Sequence, residues 1–257
     1  LGFKLINVYL DAGFKLKELV IKRQHNCKTT GFWYENNIKY NFLLLAHEYL
    51  AIFEKPKFTE SVAMREEKVD YDVLTLSLVK PRVKRRLDEL ESTTVWVLPT
   101  KYFEERLNRN VIKRYSDGKG HSVINFSFGE GGESFCGAKG NTTNKNLLFV
   151  KSSFGDTPSL PKIKAYLCQL EEVITREAPT IRKDGFIVIQ TGDVRIDEYV
   201  EPLAKRIVDS ISNTDLMLKE IVVVTQGNSC REFANYKQEN GHLKITHQYL
   251  LVYTKVR

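Results

Sequence analysis

Hydrophobic positions fall in short blocks cut by turn residues, and the blocks switch between helical and strand spacing. Over residues 4–14, Leu5, Ile6, Tyr9 and Leu10 share one helical face, and Gly13 suits a C-terminal cap. Leu16 to Lys22 then reads as a strand, and Phe42 to Lys55 holds a second one, stopped by Pro56. Together they predict an antiparallel hairpin. Its long loop, Gln24 to Tyr40, is polar and aromatic, with Trp33 and Tyr34 in the middle. The stretch TVWVLPT, Thr94 to Thr100, opens the next apolar block. Leu107, Val111, Ile112 and Tyr115 mark a helix, Ser122 to Asn125 a strand, and Phe126 to Gly132 a glycine-bearing loop. Leu147 to Val150 is a buried strand running into Lys151–Thr157. Ile163 to Arg176 is a helix. Gly185 to Gln190 is another buried strand, running into Thr191–Arg195, and Pro202 to Ile211 a further helix.

Apolar strands alternating with helices predict an α/β fold, a mainly parallel sheet covered on both faces, with an antiparallel hairpin added at its edge. Leu147–Val150, Phe186–Gln190 and Lys219–Val224 are expected to be neighbours, with His247–Lys255 antiparallel to the last. Ligands of such sheets meet the carboxyl ends of strands. Three loops fit that description: Phe126–Gly132, Lys151–Thr157 and Thr191–Arg195. Glycines in the first let a backbone approach a ligand closely, or simply make a tight turn. Asp193 and Arg195 either shape a pocket or pair with each other at a strand end.

The chain also repeats itself. LKELVIKRQHN, Leu16 to Asn26, matches LKEIVVVTQGN, Leu218 to Asn228; HEYLAIFEK, His47 to Lys55, matches HQYLLVYTK, His247 to Lys255. Near-constant separation of the identities indicates duplication of one helix–strand–loop–strand unit. The expected division is 1–57 as the closing part of a first unit, 58–94 as a connector, and 95–257 as a second unit. His47 and His247 then read as repeat structure.

Composition narrows the function classes. Of 257 residues 42% are hydrophobic and 28% charged, as in soluble globular proteins, and no apolar run is long enough to span a membrane. Net charge is +7 and the pI about 9.1, which leans toward an anionic partner. Lys80, Arg82, Lys84, Arg85 and Arg86 cluster in the connector, either as a solvated face or as contacts to DNA phosphates. Trp33 and Tyr34 either stack on a base or cover the hairpin. Cys27, Cys136, Cys168 and Cys230 lack metal-ligand or disulfide spacing, so no metal site is expected. The start, Leu1-Gly2-Phe3, has neither an initiator methionine nor a signal peptide, as expected of part of a longer polypeptide.

The stretch YFEERLNRNVIKRYSDGKGHSVINFSFGEGG, Tyr102 to Gly132, is similar to the helix and cofactor loop of S-adenosylmethionine-dependent DNA amino-methyltransferases. GFIVIQTGDVR resembles that family's strand after its catalytic helix, and the LKE–strand–HEYL–strand unit resembles its closing segment. The resemblance covers most of 1–56 and 95–257. It implies a Rossmann-like methyltransferase sheet, S-adenosyl-L-methionine as cofactor, and a flipped-out adenine or cytosine in double-stranded DNA as substrate. The compartment it implies is the cytoplasm near the nucleoid, or the nucleus in a eukaryote. Asn125, Phe126, Ser127, Gly129 and Gly131 occupy cofactor-loop positions, although the family's aspartate and proline are absent. Ser152, Ser153 and Phe154 occupy the catalytic loop, with Phe154 as the base-stacking ring. There the family carries an Asp, Asn or Ser, two prolines and an aromatic. This sequence has Lys151-Ser152-Ser153-Phe154, followed by a matching Gly155-Asp156. A lysine ammonium donates hydrogen bonds and accepts none, so it opposes charge developing on an amine. Two readings follow: an active methyltransferase, or a degenerate methyltransferase-like subunit whose active relative is a second chain or domain.

Overall fold

The computed structural model describes residues 2–23, 31–55, 93–117, 120–129, 132–139, 144–155, 157–211, 215–227, 238–239 and 242–256. Gly131, Asp156 and the basic run 80–86 lie outside the described residues, as does most of the expected connector.

The chain begins with helix α1 (Gly2–Asp11), strand β1 (Lys15–Arg23), helix α2 (Gly31–Tyr40) and strand β2 (His47–Glu54). Strand β3 (Val95–Leu98), helix α3 (Phe103–Tyr115), and strands β4 (His121–Phe128), β5 (Gly132–Lys139) and β6 (Lys145–Phe154) follow. Next come helix α4 (Leu160–Glu177), strand β7 (Ile181–Thr191), the short pair β8 (Val194–Ile196) and β9 (Tyr199–Glu201), and helix α5 (Leu203–Ser210). Strand β10 (Leu216–Gln226), the short β11 (Gln238–Glu239) and β12 (His242–Leu243), and strand β13 (His247–Lys255) complete it. Gly13 ends α1 with φ 84°, donating its N–H to Leu10 O, as expected of a left-handed cap.

The main sheet has the order β3-β10-β13-β7-β6-β4-β5. Strands β3, β10, β7, β6 and β4 all point one way. Only β13 and β5 run against them. This is the expected α/β sheet, mainly parallel, closed by an antiparallel hairpin. The hairpin does not lie at the edge, however. Its last strand inserts between β10 and β7, so Phe186–Gln190 and Lys219–Val224 are separated rather than adjacent. The physical reason is in the sequence of β13. Tyr249, Leu251 and Tyr253 enter one core layer and Leu250 and Val252 the other, and a strand buried on both faces is best satisfied by ladders on both sides.

Helices α1, α4 and α5 cover one face, where Phe3, Ile6, Tyr166, Leu170, Val173 and Ile207 pack. Helix α3 covers the other with Phe103, Leu107, Val111 and Tyr115 over Phe149, Val188, Leu250 and Val252. The acidic first turn of α3, Glu104 and Glu105, and its basic last turn, Lys113 and Arg114, both suit the helix dipole.

Strand boundaries differ from expectation where loops were predicted. β4 and β6 stay paired to their tips, Asn125 opposite Lys151 and Phe128 opposite Phe154. Phe126–Phe128 and Lys151–Phe154 are therefore strand, not loop. The predicted loop Gln24–Tyr40 contains α2, and Thr191–Arg195 runs into the β8–β9 pair.

The duplication is real in three dimensions. β1–β2 pairs Leu16 with Phe53 and Glu18 with Ile52 around a bulge at Lys17. β10–β13 pairs Leu218 with Tyr253 and Glu220 with Val252 around a bulge at Lys219. Both ladders end on their histidine, Arg23 opposite His47 and Thr225 opposite His247. The His47–Tyr49 rings meet edge-on at 4.9 Å and 88°, the His247–Tyr249 rings at 5.0 Å and 87°. The copies also clasp one another. Leu43 N–H donates to Glu220 Oε2 at 3.1 Å, and Leu243 N–H donates to Glu18 Oε1 at 3.2 Å. Each repeat's glutamate thus holds the loop of the other, a reciprocal contact of the kind a two-fold axis generates.

Candidate functional site

The carboxyl ends of β4, β6 and β7 open on a cavity of about 480 Å³. Asn125, Phe126 and Ser127 reach it from β4, Lys151 to Phe154 from β6, and Gln190 to Val194 from β7 and the turn after it; Glu104 and Gln248 complete the lining. The three segments singled out in the sequence therefore do converge, and they do so where a parallel sheet places ligands.

What they present there differs from the expectation for methyl transfer. Lys151 Nζ lies 2.7 Å from Glu104 Oε2, an ion pair between two residues that line the cavity. Ser152 is buried and its hydroxyl is bonded to Tyr166 Oη. Phe154 stacks on Phe128 at 5.3 Å and 18° and takes the edge of Tyr166 at 5.6 Å. The ring is partly buried against the core and also lines the cavity. Ser153 alone of the predicted catalytic residues is exposed at the cavity.

The glycines serve the backbone. Gly129 ends β4 at φ 95°, a conformation side chains rarely adopt. Gly155 N–H donates to Phe128 O, and a Cβ there would sit 3.2 Å from that oxygen, so a side chain would push the β4 and β6 tips apart.

Two side chains overlooked in the sequence matter more. Gln190 Nε2 donates to Gln248 Oε1 at 2.7 Å, leaving Gln190 Oε1 buried without a partner. Both lie inside the strands and were hidden by the apolar pattern around them. Asp193 is buried, accepts from Ala204 N–H at 3.2 Å, and leaves Oδ2 without a partner. Burial pushes its carboxyl up to about 7, against the lowering effect of hydrogen bonds from Ala204 and Tyr249. Burial also pushes Tyr49 and Tyr249 up, and the Asp193 charge adds to both. The repeated tyrosines of the two hairpins thus share one acid.

Arg195 does not pair with Asp193 and does not line this cavity. Its guanidinium turns to the first hairpin, 2.8 Å from Glu18 Oε2, and donates to Lys17 O and Leu243 O. It fastens the two repeats, a role the sequence did not disclose because its partner lies 177 residues away.

A second cavity of about 380 Å³ separates the first hairpin from the ends of β3 and β10, with Leu19, Ile21, Val97, Val223 and Ile245 among its walls and Asp193 at one side. Among the described residues lining it there is no Phe, Tyr or Trp. His247 at its rim is held neutral, burial lowering it to about 4.

Trp33 and Tyr34 lie on α2, a helix where a loop was expected. Among the described residues no group of three or more His, Cys, Asp or Glu could hold a metal, Cys168 is a free, exposed thiol, and no helix is long and apolar enough to cross a membrane.

Among the described residues, the carboxylates lining the 480 Å³ cavity are Glu104, ion-paired with Lys151, and Asp193, which burial pushes up to about 7.

No family model matches the chain, and no curated protein does. Among solved structures, the chain is similar to a provisionally named DNA modification methylase from Thermus thermophilus. The TM-score is 0.34 at 17% identity, and the match covers 45% of this chain and 46% of that one. A likeness of that size carries no argument about what this chain does.

Proposed function

We propose that the chain belongs to an S-adenosylmethionine-dependent DNA amino-methyltransferase, and that its unit 95–257 is a degenerate, non-transferring partner of the active unit. The family resemblance of the sequence and the element order support the first part. The ion pair of Lys151 with Glu104, 2.7 Å across the place of the family's acceptor, carries the second. In this reading the degenerate unit contributes a folded platform: the Lys151–Glu104 ion pair occupies the acceptor's place, and its closing hairpin braces its twin through the Glu18 and Glu220 clasps. Double-stranded DNA is the proposed substrate of the assembly, with the basic run Lys80–Arg86 on the phosphates.

The test is methyl transfer from labelled S-adenosyl-L-methionine to DNA by the intact protein and its Lys151→Ala variant. The variant is expected to stay within about tenfold of the parent, about 1.4 kcal/mol of barrier. Near-complete loss, with folding and DNA binding retained, would make Lys151 part of the chemistry and overturn the degenerate reading. An intact protein that transfers no methyl group to any DNA amine would overturn the enzyme reading itself.

A further inference from the structure

Three strands change character at one level of the sheet. β4 passes from Ile124 to Asn125, β6 from Val150 to Lys151 and β7 from Ile189 to Gln190, and Asn125, Lys151 and Gln190 are paired in one row. At and beyond that row the interior turns polar: Ser152, Gln190, Thr191 and Asp193 are exposed by only 8%, 7%, 2% and 9%. Buried polar atoms cost free energy unless they are bonded. Ser152 and Thr191 both meet the Tyr166 hydroxyl, Gln190 Nε2 donates to Gln248, and the Lys151 ammonium is held by Glu104. Gln190 Oε1 and Asp193 Oδ2 are left without a partner. Both atoms are acceptors, and both residues line the 480 Å³ cavity. The donors of Gln190 and Lys151 are already engaged, so the unmet demand of the cavity wall is for donors.

The two acceptors differ in charge and in place. Asp193 is an acid, and its neighbour Arg195 turns away to Glu18. Gln190 is neutral. Gln190 stands opposite Leu250, on the side of the sheet that α3 covers. Asp193 is bonded to the first turn of α5, on the other side. Phe126 and Phe154 line the cavity with them. We propose that this cavity binds a small aliphatic amine that carries a second, neutral hydrogen-bond donor at its other end. The ammonium donates to Asp193 Oδ2 as a charge-assisted pair. The far hydroxyl or amide N–H donates to Gln190 Oε1, and the aliphatic link crosses the strand tips, where apolar walls suit it. A carboxylate or phosphate would set acceptors against acceptors. S-adenosyl-L-methionine is disfavoured for the same reason, since a carboxylate stands beside its amine. The assignment does not rest on the proposed function.

The test is calorimetric titration of the intact protein at about pH 8 with amino alcohols from ethanolamine to aminopentanol. The alkylamine and the diol of matching length serve as controls. One amino alcohol is expected to bind best, roughly tenfold tighter than its diol and about threefold tighter than its alkylamine. Asp193→Asn is expected to weaken the amino alcohol and the alkylamine roughly tenfold and the diol little. Gln190→Met is expected to erase the advantage of the amino alcohol over the alkylamine and to leave the alkylamine as it was. Such a split between the two ends is not produced by loss of folding. No saturable binding, equal binding of amino alcohol and diol, or equal loss of every probe in both variants would overturn the proposal. So would displacement of the amino alcohol by adenine or S-adenosyl-L-methionine at comparable concentration, which would return the cavity to methyl transfer and overturn the degenerate reading with it. Binding as expected in a protein that transfers no methyl group would leave the site standing and remove the enzyme reading alone.

Discussion

Asp193 is the group at which the two repeats and both cavities meet, and replacing it with asparagine should make the protein more stable at pH 8. The carboxyl is buried with Oδ2 unpartnered, and burial raises it from 3.8 to about 7. A carboxyl raised on folding gives stability that is fully present below the unfolded value of 3.8 and is lost as pH rises through about 7. A shift of roughly 3 pH units at about 1.4 kcal/mol each caps the loss at roughly 4 kcal/mol. Relaxation of the site and water entering it lower the expected value to about 1–3 kcal/mol at pH 8. Asparagine keeps an oxygen for the Ala204 N–H and gains a donor toward the tyrosine hydroxyls at the cost of no charge. The parent's own pH profile hides the effect. His47 and His247 are lowered by burial, His247 to about 4, so their contribution runs oppositely: present above about 6.5, lost as pH falls. The difference between Asp193→Asn and parent cancels the histidines. Urea unfolding of both, from pH 3 to pH 8, should show the variant gaining on the parent between about pH 4 and pH 7, the interval between the unfolded and folded values, and a level difference above that. A difference that stays constant across that range, or a variant less stable at pH 8, would refute the buried-acid account.

Other consequences are quicker to state. Glu220→Ala should cost about 1–3 kcal/mol in thermal or chemical unfolding, because the buried Tyr115 hydroxyl, 2.8 Å from Glu220 Oε1, and the Leu43 N–H lose their acceptor. Gly185→Ala should destabilise by about 1–3 kcal/mol, since a Cβ would lie 2.7 Å from Ile181 Cγ2 and 2.9 Å from Arg182 O; an unchanged midpoint would show that β7 yields easily there. Lys151→Ala should change folding stability by less than about 1 kcal/mol, its Glu104 partner being 57% exposed. Binding of duplex DNA should weaken steeply between low and moderate salt, as counterion release at the Lys80–Arg86 run requires; salt-insensitive binding, or none at low salt, would remove the phosphate-contact assignment.

Hydrophobic spacing by itself determined the helices α1, α3, α4 and α5 and the existence of the long strands, because each buries one stripe or both faces within a dozen residues. Sequence identity determined the repeat down to its bulge, since LKE repeats the residue that bulges. What lay beyond local pattern was decided by tertiary structure. β13 becomes an interior strand because its second ladder partner, β7, comes from a distant part of the chain. The strand tips Phe126–Phe128 and Lys151–Phe154 look like loops in isolation and are extended only because each is the other's ladder partner. The cavity was legible as three convergent loops, but its chemistry was not. Lys151 finds Glu104, Phe154 finds Phe128 and Arg195 finds Glu18 across separations of 47, 26 and 177 residues, and only the fold sets which charges and rings are left to meet a ligand.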